Sequence, residues 1–128
     1  MPRVHVIDDD AVTRTVLTRL LADAGWEVSC SEDGRAALAD VAATEPDVVL
    51  LDVTMPGPDG WTVLGRLRDA LPATKVVMLT GRTSHDDVVR ARRAGADDFV
   101  AKGVEPAVLL ERLQALLQRP PGRSDLLL

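Results

Sequence analysis

Val48-Val49-Leu50-Leu51-Asp52-Val53-Thr54-Met55-Pro56-Gly57-Pro58-Asp59-Gly60 is the stretch on which the fold class turns. Four apolar residues run without alternation and stop at a carboxylate, and a segment dense in proline, glycine and aspartate follows. A strand with one wet face alternates polar and apolar residues, because successive side chains point to opposite sides. An unbroken apolar run means that both faces are covered, which is the habit of parallel sheets flanked by helices. Val76-Val77-Met78-Leu79 has the same character and stops at Thr80. The Pro56–Gly60 segment is turn chemistry: proline presets φ, glycine reaches positive φ, and aspartate bonds to nearby backbone.

On either side of this stretch, short apolar runs alternate with helical patterns. Further strands are expected at Val4-His5-Val6-Ile7, at Trp26 to Cys30 and at Phe99-Val100-Ala101. In the first helical pattern Val12, Val16 and Leu20 recur every four residues and form the expected apolar stripe, with Leu17 and Leu21 beside it. Others are expected near residues 35–43, 61–70, 84–94 and 106–118. Ser84-His85-Asp86-Asp87 has capping-box spacing, and Pro106 suits a first helical position. Gly25 and Gly95 follow helical patterns, where a left-handed residue ends a helix. Alternating strands and helices predict an α/β fold, a doubly wound parallel sheet whose ligands sit beyond the carboxyl ends of the strands. Arg119-Pro120-Pro121-Gly122-Arg123-Ser124 reads as a linker, so residues 1–118 are expected to form one domain and 119–128 a tail or linker stub.

Composition narrows the function classes. The net charge of -5 argues against direct nucleic-acid binding by this domain, and three aromatic residues, Trp26, Trp61 and Phe99, are too few for a base-stacking surface. The single cysteine, Cys30, excludes an internal disulfide and a cysteine-rich metal site, and is expected to be a small buried residue. His5 and His85 are expected to be structural. No apolar run reaches the ~18 residues of a membrane span. Met1-Pro2-Arg3 leads into a strand without a signal-peptide layout, so a cytoplasmic location is expected.

Chemistry gathers at the strand ends. The first strand runs into Asp8-Asp9-Asp10, the third ends in Asp52, the fourth in Thr80 followed by Gly81, and the fifth runs into Lys102. Neighbouring parallel strands lie about 4.8 Å apart, so these groups can converge. Clustered carboxylates repel one another and call for a cation. An all-oxygen donor set suits a hard ion, Mg²⁺ or Mn²⁺, rather than zinc. Asp52 could then act as a nucleophile toward phosphorus, with the ion and Lys102 neutralising charge, and Gly81 leaves room for phosphate oxygens beside Thr80. Each piece alone has a structural reading: the acidic run as a helix N-terminal charge, Thr80-Gly81 and Asp59-Gly60 as turns, Lys102 as a solvated lysine. What separates the readings is that all of them fall on one edge of the expected sheet.

With those residues in place, residues 4 to about 118 resemble the receiver domains of bacterial two-component response regulators, the CheY-like superfamily, in pattern closest to the OmpR/PhoB-type receivers. The resemblance implies a flavodoxin-like (βα)5 fold with strand order 2-1-3-4-5. It implies that Asp52 is the phosphoacceptor, that Asp9 and Asp52 ligate Mg²⁺ with the Thr54 carbonyl, and that Asp8 acts through water. Lys102 falls on the family's lysine, Thr80 on its switch hydroxyl and Phe99 on its switch aromatic. The implied partner is a sensor histidine kinase carrying a phosphohistidine, with an effector domain or downstream protein as output. The implied protein is a signalling switch rather than an enzyme, catalysing only its own phosphorylation and slow autodephosphorylation. A homodimer through the fourth helix, fifth strand and fifth helix is a further implication, with Arg90, Asp97, Asp98 and Arg112 as its candidate charges and Arg93 standing where an acid is common.

The sequence departs from that pattern at Gly103, where the family usually has proline after the lysine. Thr54 and Arg82 occupy positions that influence phosphoryl lifetime in the family, and neither is its commonest choice. Two rival functions remain. One is an aspartate-nucleophile phosphatase of the haloacid-dehalogenase type, whose nucleophile, however, ends the first strand. The other is a degenerate receiver that binds partners without being phosphorylated.

Overall fold

In a computed structural model describing residues 1–81 and 85–118, the elements run β1 (Arg3–Ile7), α1 (Ala11–Asp23), β2 (Glu27–Ser31), α2 (Ala37–Thr44), β3 (Val48–Asp52), α3 (Gly60–Ala70), β4 (Lys75–Thr80), α4 (His85–Ala94), β5 (Asp98–Ala101) and α5 (Pro106–Leu117). The capping box at Ser84, the position of Arg82 and the tail 119–128 lie outside the described residues. All strand pairings are parallel, and the sheet order is β2-β1-β3-β4-β5. The expected doubly wound sheet is therefore present. The chain winds outward from β1 to β2 and then restarts at β3 on the other side, so the direction reverses at the carboxyl ends of β1 and β3.

The unbroken apolar runs do what parallel strands require. Every residue of β3 and of β4 is buried. Val48 and Leu50 pack with Val4, Val6, Leu21 and Leu113 on one face; Val49 and Leu51 pack with Ile7, Val63, Leu64 and Met78 on the other. Each fully buried side chain of this kind contributes about 1.5–3 kcal/mol relative to exposure, which is why the central strands fix the register of the sheet. Both expected helix stops hold. Gly25 and Gly95 have φ of +94° and +92°. In each case the next N–H reaches back to close the helix, Trp26 to the Leu21 carbonyl and Ala96 to the Ala91 carbonyl, both at 3.0 Å.

Three expectations need correction. The apolar residues of α1 cover roughly half its circumference at 100° per residue, and only one end of that arc faces the sheet. Leu17 and Leu21 are buried, whereas Val12 and Val16 are 70% and 59% exposed. Cys30 lies inside β2 rather than at its end, and it is exposed. The strand starts at Glu27 instead of Trp26, and in this edge strand Ser29 and Ser31 share one face while Val28 packs into the core cluster on the other. Those serines face buried His5, whose Nδ1 lies 2.6 Å from Ser29 Oγ and whose Nε2 lies 2.7 Å from Ser31 Oγ. Ser31 donates to Asp40 at 2.6 Å, so its oxygen accepts from Nε2 and the Ser29 hydroxyl donates to Nδ1. Burial lowers the His5 pKa against the pull of Asp40, and the neutral ring is fully bonded, consistent with the structural role expected of it.

Replacing Leu21 by alanine should cost roughly 2–5 kcal/mol, and replacing Val16 by alanine less than about 0.5 kcal/mol, in urea unfolding. The order would reverse if the Val12–Val16 row faced the core.

Candidate functional site

The acidic run after β1 divides into two jobs. Asp10 caps α1: its carboxylate accepts from the Val12 N–H at 3.1 Å and the Thr13 hydroxyl at 2.7 Å, and these bonds hold its pKa below the ordinary value. Asp8 and Asp9 turn toward the sheet end. Asp8 is 1% exposed, and its Oδ1 accepts from the Asp10 N–H at 2.9 Å. Asp52, the last residue of β3, is 4% exposed and accepts from the Thr54 N–H at 3.3 Å. One carboxylate oxygen from each of Asp8, Asp9 and Asp52 lies within 4.8 Å of the others. From the far side comes Lys102, whose N–H bonds the Thr80 carbonyl at 2.7 Å. Its ammonium lies 3.0 Å from Asp8 Oδ2 and 3.3 Å from Asp52 Oδ1.

The turn after Asp52 holds that aspartate in place. A Cβ on Gly60 would sit 2.2 Å from the Asp52 carbonyl oxygen and 2.7 Å from the Val53 Cα, so only glycine lets α3 begin against the end of β3. Gly60 donates its N–H to the Val53 carbonyl at 2.8 Å, and Asp59 caps α3 through the Thr62 N–H at 2.9 Å. A cleft of about 730 Å³ opens over these groups and holds Asp9, Asp52, Thr54, Thr80, Gly81 and Lys102. Among the described residues, a Cβ on Gly81 would meet nothing within 4 Å. Asp87, from the first turn of α4, also lines the cleft. Sequence reasoning spent that residue on helix capping, and no spacing signal tied it to the strand ends.

Other expected residues fall elsewhere. Phe99 pairs with Met78 across the β4–β5 register and is 7% exposed, packed in the cluster that includes Met55 and Ala91. Asp97 is not a surface charge: it is 4% exposed, accepts from the Val76 N–H at 2.8 Å and lies 3.6 Å from Arg68. It turns inward because the start of β4 needs an acceptor there. Asp98 pairs with Arg112 of the same chain at 2.9 Å, and the Arg90 guanidinium lies 4.3 Å from the centre of the Trp61 ring. These three are thus already engaged within one chain.

The electrostatics suit a divalent cation. Three carboxylates against one ammonium leave two negative charges. Burial raises the Asp52 pKa from 3.8 to about 6, reinforced by the Asp8 charge and opposed by Lys102 and the Thr54 N–H. Burial works against the Lys102 charge as well, but Asp8 and Asp52 outweigh it and hold its pKa above the ordinary value. Among the described residues, Asp8 Oδ2 is buried with no partner in hydrogen-bond geometry, although the Lys102 ammonium is at ion-pair distance. An oxygen-only set with a spare buried lone pair fits Mg²⁺ or Mn²⁺. A group whose folded pKa is raised to about 6 destabilises the fold when ionised, and that cost fades as pH falls from 6 toward 3.8. In chelator at pH 8, Asp52→Asn should therefore be more stable than wild type by on the order of 1–3 kcal/mol in thermal or urea melts, with the gap closing by about pH 4. An unchanged or lower stability at pH 8 would contradict this electrostatic picture.

Comparison with known proteins places the chain. The family model described as Response regulator receiver domain matches residues 4–114. The chain is 42% identical over 118 residues to the transcriptional regulatory protein PrrA of Mycobacterium leprae, covering 92% of this chain and 51% of that protein. It is 41% identical over 117 residues to the response regulator MprA of Mycolicibacterium vanbaalenii, covering 91% and 51%. The chain thus spans about half the length of these curated relatives. Among solved structures, the BeF3-activated N-terminal receiver domain of Klebsiella pneumoniae RstA superposes with a TM-score of 0.87 at 32% identity, covering 91% of this chain and 99% of that one. The chemotaxis protein CheY4 of Vibrio cholerae superposes with a TM-score of 0.85 at 33% identity, covering 91% and 98%. On this evidence the chain belongs to the receiver domain family of the response regulators, the signalling switches of two-component systems.

Proposed function

We propose that this receiver takes a phosphoryl group onto Asp52 from the phosphohistidine of a sensor histidine kinase, in a reaction that depends on Mg²⁺ or Mn²⁺. The observation that carries this reading is the meeting of Asp8, Asp9, Asp52 and Lys102 at the winding reversal of the sheet. Asp9, Asp52 and the Thr54 carbonyl would hold the ion, with Asp8 acting through water. When bound, the ion polarises the phosphoryl oxygens and offsets their charge. Asp52 attacks phosphorus through a carboxylate oxygen; the O–P bond forms as the N–P bond to the donor imidazole breaks. Lys102 moves its charge from the carboxylates to the transferring group. Thr80 and the backbone at Gly81 face the same cleft and would contact that group on arrival.

The switch follows from those contacts. A phosphoryl group that bonds the Thr80 hydroxyl favours whichever packing of α4, β5 and α5 allows that bond. Phe99 starts from an inward-packed ring, beside β4 and against α4. The output would be an effector domain or a downstream protein, possible because relatives of about twice this length are named as transcriptional regulators. On this reading residues 1–118 are the receiver and 119–128 a tail or linker stub. The site of action is the cytoplasm, where the kinase would present its phosphohistidine. No helix among the described residues is long and apolar enough to cross a membrane.

Incubation with a small acyl phosphate and Mg²⁺ should add one phosphoryl group by intact mass, and Asp52→Asn should abolish it. Lys102→Ala should slow the transfer by roughly 10²–10³-fold. A wild-type chain inert with both Mg²⁺ and Mn²⁺ would favour the phosphorylation-independent module, and steady hydrolysis of phosphomonoesters would favour the phosphatase.

A further inference from the structure

We infer that Arg14 is a positioning residue for the two N-terminal acids of the site, acting through the one peptide plane they share. This rests on the metal-dependent reading above. Arg14 stands on the inward face of α1, three residues before Leu17 and seven before Leu21, and its side chain is 18% exposed. Its Nη1 donates to the Asp8 carbonyl at 2.8 Å. That carbonyl belongs to the peptide linking Asp8 to Asp9. Rotating this peptide changes ψ of Asp8 and φ of Asp9 together, and so swings both carboxylates relative to Asp52. The preceding peptide is held separately, by the Asp8 N–H on the Ser31 carbonyl at 3.3 Å. Arg14 therefore continues the sheet's hold on the backbone for one peptide past the end of β1. Its Nη2 reaches toward Glu32 at 3.8 Å, but Glu32 is 84% exposed and adds little to that anchoring.

Positioning and plain electrostatics make opposite demands here. As a cation beside an anionic site, Arg14 repels a divalent ion, so its removal should tighten binding. As the anchor of the Asp8–Asp9 peptide, it keeps the carboxylates convergent, so its removal should loosen binding. Partners that orient ligands typically account for about 10–100-fold in metal affinity.

The test is a Mn²⁺ titration of the full chain, followed by loss of the free-ion electron paramagnetic resonance signal, with Mg²⁺ as competitor. Arg14→Ala should bind about 10–100-fold more weakly, while its melting temperature in chelator stays within a few degrees of wild type. Arg14→Lys, which keeps the charge but not the reach, should fall between the two. Glu32→Gln should bind within about twofold of wild type. Equal or tighter binding by Arg14→Ala would overturn the inference. If Arg14→Ala does not fold, wild-type affinity in Arg14→Lys would overturn it instead. No Mn²⁺ binding by wild type would overturn the metal reading itself, and this inference with it.

Discussion

Asp8 and Asp52 are almost wholly removed from water at the end of the sheet, and the Lys102 ammonium lies against both. Burial makes the Asp52 carboxylate costly to ionise, and a single ammonium faces the cluster of three carboxyl groups. The rest of the structure serves this imbalance. The apolar strands β1 and β3 bring Asp8 beside Asp52. β4 and β5 bring Lys102 across to them, tied by its N–H to Thr80. Gly60 and the Asp59 cap let α3 start hard against Asp52. A site tuned in this way is poised rather than relaxed: on the proposed function a divalent cation would relieve it, and a phosphoryl group would rearrange it.

The same imbalance links chemistry to shape. Lys102 has one set of partners while the carboxylates are bare, and would have another once a phosphoryl group sits on Asp52. The strand it follows, β5, also carries Phe99, and the neighbouring β4 ends in Thr80. On the proposed function a change at the strand ends would be felt along β4 and β5 and by α4, which packs in the same core cluster through Ala91 and Val88. Arg90 of α4 lies over Trp61 at the start of α3, so movement of α4 would also be felt beside the Asp52 turn.

Much of this was readable in the sequence because strands and strand ends obey short-range rules. Unalternating runs in β3 and β4 announced burial on both faces, and the residues that stop them announced the cleft. Matters decided by rotation or by edge position were less readable. Val12 and Val16 have the spacing of a core stripe, but α1 is turned so that Leu17 and Leu21 face the sheet. Cys30 looked like a small core residue, yet it is exposed on the edge strand β2, on the face opposite the serines bonded to His5. Asp97 looked like a surface charge, and it is a buried acceptor for the Val76 N–H. Asp87 and Arg14 carried no signal, because each joins the site or its support from a helix whose orientation the sequence does not state.

The most direct measurement is the anomalous difference map of a crystal grown with Mn²⁺. The account predicts one strong peak at the carboxyl end of the sheet, within coordination distance of an oxygen of Asp9 and of Asp52, with the Thr54 carbonyl turned toward it. No peak there at saturating Mn²⁺, or a peak held by other residues, would contradict the shared oxygen-lined site on which the proposed function depends.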